Sequence, residues 1–319
     1  MKRYVLQRII LIFFTTITIT FLVFVFIKML PNYERAVLGT DPALQELIAE
    51  REGWGEPILV QFKVWVENMF SGEGLGRSLK KSRDVADILA ERIPVSMRLN
   101  IIPYLLSIPI GLGFGIWAAL KKNKMTDHVI SVLIIIFISV PSFVIGTLLQ
   151  YYVVYVWEWI DTPFVLPGID FVEHFWKGIT SYIMPMFVLL VFNVAGLART
   201  TRAELTEVLT SEFMLLCRTK GLTRGQATVR HGLRNALVPV APSLLAGFIF
   251  ILSGSLIIER IFRVPGVGGV YLEAFQNQDY PLIMGYLMFY TVLSLFAILV
   301  VDLSYGVIDP RIRMGGGKR

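Results

Sequence analysis

Ile9-Ile-Leu-Ile-Phe-Phe-Thr-Thr-Ile-Thr-Ile-Thr-Phe-Leu-Val-Phe-Val-Phe-Ile-Lys-Met-Leu30 decides the class of fold. Its one charge, Lys28, lies near the end, where the side chain can snorkel to an interface. A helix needs roughly 20 apolar residues to cross the hydrocarbon core of a bilayer. The stretch exceeds a signal-peptide core of roughly 7–15 residues, and no small-x-small cleavage site follows, so it reads as a retained first span. Working outward, similar runs occupy Leu99–Leu120, Val129–Trp157, Tyr182–Leu197, Ala236–Ile258 and Leu282–Tyr305. The fourth is interrupted by Pro185 and Asn193. Hydrophobic residues make up 55% of the 319 positions and charged residues 17%, against about 25% charged in soluble domains. The expectation is an all-α integral membrane protein of about six transmembrane helices.

Basic residues set the orientation. With the N-terminus inside, segments 1–8, 121–128, 199–234 and 306–319 hold 17 Lys/Arg and 5 Asp/Glu, while 31–98, 158–181 and 259–281 hold 12 and 18. The positive-inside rule then places both termini in the cytosol. It also accounts for the net charge of +6 without nucleic acid. Trp157, Trp159, Trp176 and Tyr182 gather at the expected outer face as an aromatic belt. The single cysteine, Cys217, excludes an internal disulfide and a multi-cysteine metal site. His128, His174 and His231 show no ligand spacing, so no metal site is expected.

Residues 1–30 are read as the N-terminal span, 31–98 as an external insertion, 99–306 as a five-helix core and 307–319 as a cytosolic tail. Within the insertion, Asp41–Glu52 is polar and reads as helical. Ser71-Gly-Glu-Gly-Leu-Gly-Arg-Ser78 has glycines at alternate positions but does not fit GxxxxGK[ST], and it reads as a structural turn rather than a phosphate cradle. From Asp84 to Ile93 the residues Val85, Ile88, Leu89 and Ile93 recur at helical spacing, as in a short helix lying on the membrane surface and ended by Pro94.

The most informative segment is the loop 199–235, within Thr200–Pro239. Phe213, Leu216 and Cys217 are read as one helical face beginning near Glu212, with Met214 and Leu215 alongside. Lys220 falls in the last turn, where a cation suits the helix dipole. Gly221-Leu222 reads as a helix stop, and Thr223 with Gln226 as a capping box for a second helix. That helix carries Arg224, Arg230, His231 and Arg234. Three readings fit the pattern: a connector resting on lipid headgroups, an apolar knob docking in a groove of a cytosolic protein, or a helix-turn-helix, which membrane attachment at both ends disfavours.

Cys217-Arg-Thr-Lys-Gly-Leu-Thr223 with Arg230-His-Gly-Leu-Arg-Asn-Ala-Leu-Val-Pro239 resembles the coupling motif of ABC-importer permeases in its peptide-transporter form. The general form opens Glu-Ala-Ala where this chain has Leu215-Leu-Cys217. Gly72-Glu-Gly-Leu-Gly-Arg-Ser78, Ile88-Leu-Ala-Glu-Arg-Ile-Pro94, Ser139-Val-Pro-Ser-Phe143, Arg199-Thr-Thr-Arg202, Glu259-Arg-Ile-Phe-Arg-Val-Pro-Gly-Val-Gly268, Asp279-Tyr-Pro281, Val301-Asp-Leu-Ser-Tyr305 and Asp309-Pro-Arg-Ile-Arg313 extend the resemblance, which is to the oligopeptide permease B subunit. It implies a type I importer permease in a bacterial or archaeal cytoplasmic membrane. The implied partners are a second homologous permease, two cytosolic ATPases that bind ATP and Mg, and an external substrate-binding protein. The chain itself has no Walker run and is expected to be neither an enzyme nor a cofactor carrier. The resemblance implies that Glu212, Phe213, Leu216, Cys217, Arg218, Lys220, Gly221, Arg230 and His231 meet the ATPase. The stretch around Asp84, Asp87 and Glu91 either receives the binding protein or caps the pore mouth. The implied substrate is an oligopeptide, with dipeptides or nickel as alternatives.

Polar residues within spans have two readings each. Gln150 and Asn193 line a pathway or tie helices together. Asp302 pairs with a cytosolic arginine or relays protons. An intramembrane hydrolase would need a nucleophile with a base in the bilayer, and no histidine falls in an expected span. An ATP-independent transporter would not need the glycine-broken cytosolic knob.

Overall fold

The computed structural model describes residues 2–30, 49–50, 53–166 and 175–308. His174, the expected helix over residues 41–48 and 51–52, and the tail from 309 onward lie outside them. Helices dominate the described residues, and the only β pairing among them is an isolated bridge between Arg77 and Asp84. In chain order they are α1 (Lys2–Lys28), α2 (Ile58–Asn68), α3 (Val85–Leu120), α4 (Met125–Ser139), α5 (Ser142–Gln150), α6 (Phe175–Leu209), α7 (Glu212–Thr219), α8 (Arg224–Ala227, continued by Thr228–Gly232 and Leu233–Leu237), α9 (Val240–Phe250), α10 (Leu256–Ile261), α11 (Val267–Gln276) and α12 (Tyr280–Ile308).

Leu6–Lys28, Val85–Leu120, Trp176–Leu209, Val240–Ile261 and Tyr280–Tyr305 are each long and apolar enough to cross a membrane. Met125–Ser139 and Ser142–Val156 are apolar enough only together and are bent by 94° at their break, the geometry of a broken span or a re-entrant loop. The straight span expected at Val129–Trp157 is therefore corrected. Val140 is extended (φ −77°, ψ 126°) ahead of Pro141, the conformation that the ring of a following proline favours. The fifth span is also broken: α9 tightens over Ile251–Ser253, turns through left-handed Gly254 (φ 70°) and resumes as α10.

The chain divides into two compact units. The first joins residues 1–96, 252–256 and 265–299. Its core gathers Phe24 and Ile27 of α1, Val85, Ile88 and Leu89 of α3, Val267, Val270 and Ala274 of α11, and Leu282, Ile283 and Tyr286 of α12. The apolar stripe at 85–89 thus packs into protein rather than resting on lipid, which overturns the surface-helix expectation. Pro94 does not stop α3 either. The lost backbone bond and clash of an interior proline cost about 3 kcal/mol. Val85 before it and Leu99 after it are both fully buried.

The loop before α3 is a turn, as expected, with Gly74 (φ 62°) and Gly76 (φ 90°) in the left-handed region. Gly76 C=O accepts from Val85 N–H at 2.9 Å, and Arg83 C=O from Ser78 N–H at 2.9 Å. The buried Asp279 carboxylate fastens this turn, accepting from Ser78 Oγ at 2.5 Å, Leu79 N–H at 3.1 Å and Lys80 N–H at 3.3 Å. Beside it, α12 approaches so closely that a Cβ on Gly285 would sit 2.4 Å from Val85 Cγ1.

The second unit joins residues 97–251, 257–264 and 300–319. Met184, Val188, Ala195, Ala198 and Leu205 form the buried face of α6, at the 3–4-residue spacing of one helix side and its multiples. Pro185 is accommodated inside α6, which extends well past the expected Tyr182–Leu197 at both ends. Of the alternate glycines Gly111, Gly113 and Gly115 of α3, two sit at close approaches. A Cβ at Gly111 would lie 2.9 Å from the Leu197 Cβ, and one at Gly115 2.6 Å from the Thr201 Cβ, while Gly113 faces open space.

Candidate functional site

The loop between the α6 and α9 spans forms by local rules. Helix α6 continues to Leu209, and the extended Ser211 separates it from α7. Helix α7 ends at Thr219, where Gly221 adopts φ 90°. Gly221 N–H donates to Arg218 C=O at 3.0 Å and Leu222 N–H to Cys217 C=O at 3.4 Å. This pair of bonds is the Schellman termination, and only glycine enters its left-handed position without steric cost. Thr223 then opens α8 with both halves of a capping box: Gln226 N–H donates to Thr223 Oγ1 at 3.3 Å, and Thr223 N–H to Gln226 Oε1 at 3.1 Å.

Helix α7 has two unlike faces. Met214 and Cys217, three residues apart, are buried against Ala227, Val208, Leu209 and Leu222. Phe213, Leu215 and Leu216 face outward, with 39%, 61% and 53% of their surface exposed. Cys217 therefore turns inward, not onto the Phe213–Leu216 face where the sequence reading put it. A wide helical turn over Thr228–Gly232 sets Gly232 against Leu209 and Met214. The same turn brings His231 edge-on to Phe213, ring centres 6.0 Å apart at 87°. Glu212, Arg218, Lys220, Arg224 and Arg230 are exposed around this apolar face. The result is an exposed apolar helix face ringed mainly by cations.

The acidic residues Asp84, Asp87 and Glu91 are exposed along one side of the start of α3. Glu91 is bridged by Arg83 at 2.9 Å and Arg92 at 3.4 Å, whereas no ion pair is formed by Asp84 or Asp87 among the described residues. The three intramembrane polar residues separate. Gln150 is buried and donates through Nε2 to Pro163 C=O at 2.7 Å and Ile261 C=O at 3.3 Å, so it ties α5 to α10. Asn193 is exposed on α6, and Asp302 is half-buried on α12. Among the described residues, no group of three His, Cys, Asp or Glu is placed to hold a metal.

One buried pair escaped the sequence reading. Asp127, at the start of α4, is 1% exposed. Arg202 of α6 grips it with two parallel bonds, Nε to Oδ1 at 2.6 Å and Nη2 to Oδ2 at 2.9 Å. Asn123 N–H adds a bond at 2.9 Å and Ser131 Oγ one at 3.4 Å. In sequence, Asp127 is one acid in a short basic connection and Arg202 one of many loop cations. Their separation of 75 residues leaves no local signal.

With five helices long and apolar enough to cross a membrane, and a bent pair beside them, the chain is a multi-pass membrane protein. Residues 111–314 match the binding-protein-dependent transport system inner membrane component family, and the chain belongs to that family, the permease subunits of ABC importers. It is 34% identical to the dipeptide transport system permease protein of Bacillus subtilis, over 98% of this chain and 99% of that one. It is 31% identical to the dipeptide permease of Lactococcus lactis, over 98% and 100% of the two chains. The glutathione transport system permease protein of Escherichia coli K12 is 31% identical over 98% and 99%.

Proposed function

We infer that this chain is one of two homologous permeases in an ATP-driven importer, taking up oligopeptides handed over by an external binding protein. Helix α7 docks in a cleft of a cytosolic ATPase. Phe213 and Leu216 enter the cleft, with Leu215 at its edge, and Glu212, Arg218, Lys220, Arg230 and His231 meet its polar rim. Cys217 and Gly221 act by position, one beneath the helix and one ending it. When two ATPases close on ATP, the projection is displaced, and the membrane helices rock between inward- and outward-open arrangements. The observation that carries this reading is the two-faced α7: apolar side chains exposed on one side, and Met214 and Cys217 locked inward on the other.

Asn193 is the pathway residue of the three polar candidates, because an amide exposed at membrane depth needs water, substrate or a partner helix beside it. Asp84 and Asp87 form the contact for the binding protein, which crosslinking from either position to the loaded protein tests. A dipeptide substrate is the second reading, favoured by the printed names of the Bacillus and Lactococcus relatives. Competition of uptake by di-, tetra- and hexapeptides separates the two.

The coupling assignment is tested in proteoliposomes holding the complete complex. Phe213→Asp and Gly221→Pro are expected to leave assembly intact while abolishing substrate-stimulated ATP hydrolysis and uptake. Normal values of both in either variant sink the assignment.

A further inference from the structure

The pair of buried Asp127 and partly exposed Arg202 lies where α4 begins and α6 approaches the coupling loop. A carboxylate taken out of water is tolerated only when fully bonded. Here all of its partners come from two neighbouring helices and the connection before α4. A planar two-point grip by arginine fixes both distance and rotation between the helices that carry it. The same helices also meet in buried apolar clusters. Ala118 of α3, Ile130 and Ile134 of α4, and Ala198 of α6 form one buried cluster. Ala119, Leu205 and Ala236 form the next, lined by Val208, Leu209 and Leu233. Val208 and Leu209 in turn support Met214 and Cys217 of α7. Val208 and Leu209 are thus shared by the cluster under α7 and the one around Leu205, and Arg202 lies on α6 between Ala198 and Leu205. Beyond the pair, α4 runs on to Ser139 and the 94° bend at Val140–Pro141.

We propose that Asp127 and Arg202 are positioning residues for coupling: they lock the start of α4 to the end of α6, so displacement of α7 carries α3, α4 and α6 as one body and is taken up at the Val140–Pro141 bend. This inference rests on the coupling reading of α7. It assigns a role in transmission to two residues that touch neither ATPase nor substrate.

The test compares Asp127→Asn, Arg202→Lys and Phe213→Asp in the reconstituted complex, with each rate normalised to assembled complex. Asp127→Asn keeps the shape and removes the charge, and Arg202→Lys keeps the charge and removes the two-point grip. The expected result for both is ATP hydrolysis near the wild-type rate with uptake reduced, so that ATP consumed per substrate rises about tenfold, within the usual range of coupling between distant sites. Asp127→Glu is expected to restore part of the ratio. Hydrolysis and uptake falling in equal proportion, or neither changing, overturns the proposal. If Asp127→Asn does not assemble, the decision passes to spin labels at the exposed Lys124 and Glu207 in an otherwise native complex. One body gives the same distance distribution without nucleotide and in the vanadate-trapped state, and a shifted distribution overturns the lock. Failure of the coupling reading itself is distinguished by Phe213→Asp, which would then transport normally.

Discussion

Two turns, one before α3 and one after α7, show opposite ways of holding a glycine-containing bend. The turn around Gly221 is secured by its neighbours: two backbone bonds that end α7 and a reciprocal side-chain box that starts α8, all within six residues of the glycine. The turn around Ser78 has local bonds too, but its hydroxyl and the next two N–H groups close on Asp279, 201 residues from Ser78. A locally closed turn loses only its own bonds when damaged. A remotely closed one loses the contact between distant parts of the chain as well, and with it the packing that contact aligns.

The largest effect is therefore expected at Asp279. Asp279→Ala leaves a buried hydroxyl and two backbone N–H groups without their acceptor, at about 3 kcal/mol or more in total. The thermal midpoint of the purified permease should fall, and trypsin should cut after Lys80 or Lys81 at a rate the wild type does not show. Unchanged cleavage would mean that the turn is held otherwise. Next comes Gly285, whose replacement by Ala forces a methyl group onto Val85 and costs about 1–3 kcal/mol through overpacking. Val85→Ala in the same chain should recover most of that loss, and an additive double variant would refute the close approach. The smallest effects belong to the local turn. Gly221→Ala meets no neighbouring atom, so only the left-handed backbone resists it, at about 1–2 kcal/mol. Thr223→Ala removes the cap at about 1 kcal/mol. Both should speed amide exchange across 212–227 while leaving the global midpoint nearly unchanged. A large drop in midpoint would erase the contrast between the two turns.

The same contrast explains what was readable from sequence. The capping box at Thr223 and the stop at Gly221 depend on residues three to six apart, and both appeared in the structure as expected. The apolar runs marked the membrane helices because length and hydropathy alone decide them. Pro94 misled because its penalty is visible in sequence, whereas the burial of Val85, Ile88 and Leu89 against α11 and α12 is not. Cys217 was set on the wrong side of α7 because helical spacing groups residues without saying which side is covered. Met214 and Cys217 are as good a pair, at three residues, as Phe213 and Leu216. Asp279 was noticed as part of a string but had no stated task until its carboxylate was seen at Ser78. Asp127 and Arg202 stayed hidden for the same reason.

Cys217 has a practical consequence. It is the single thiol in the sequence, and it lies under α7 against Met214 and Ala227. Thiol reagents attack an accessible thiolate, not a buried thiol. The unmodified protein therefore carries its own gauge of whether this helix is seated. The rate at which a small maleimide labels the chain, divided by the rate for a free thiol, measures the fraction of time that α7 is lifted from its bed.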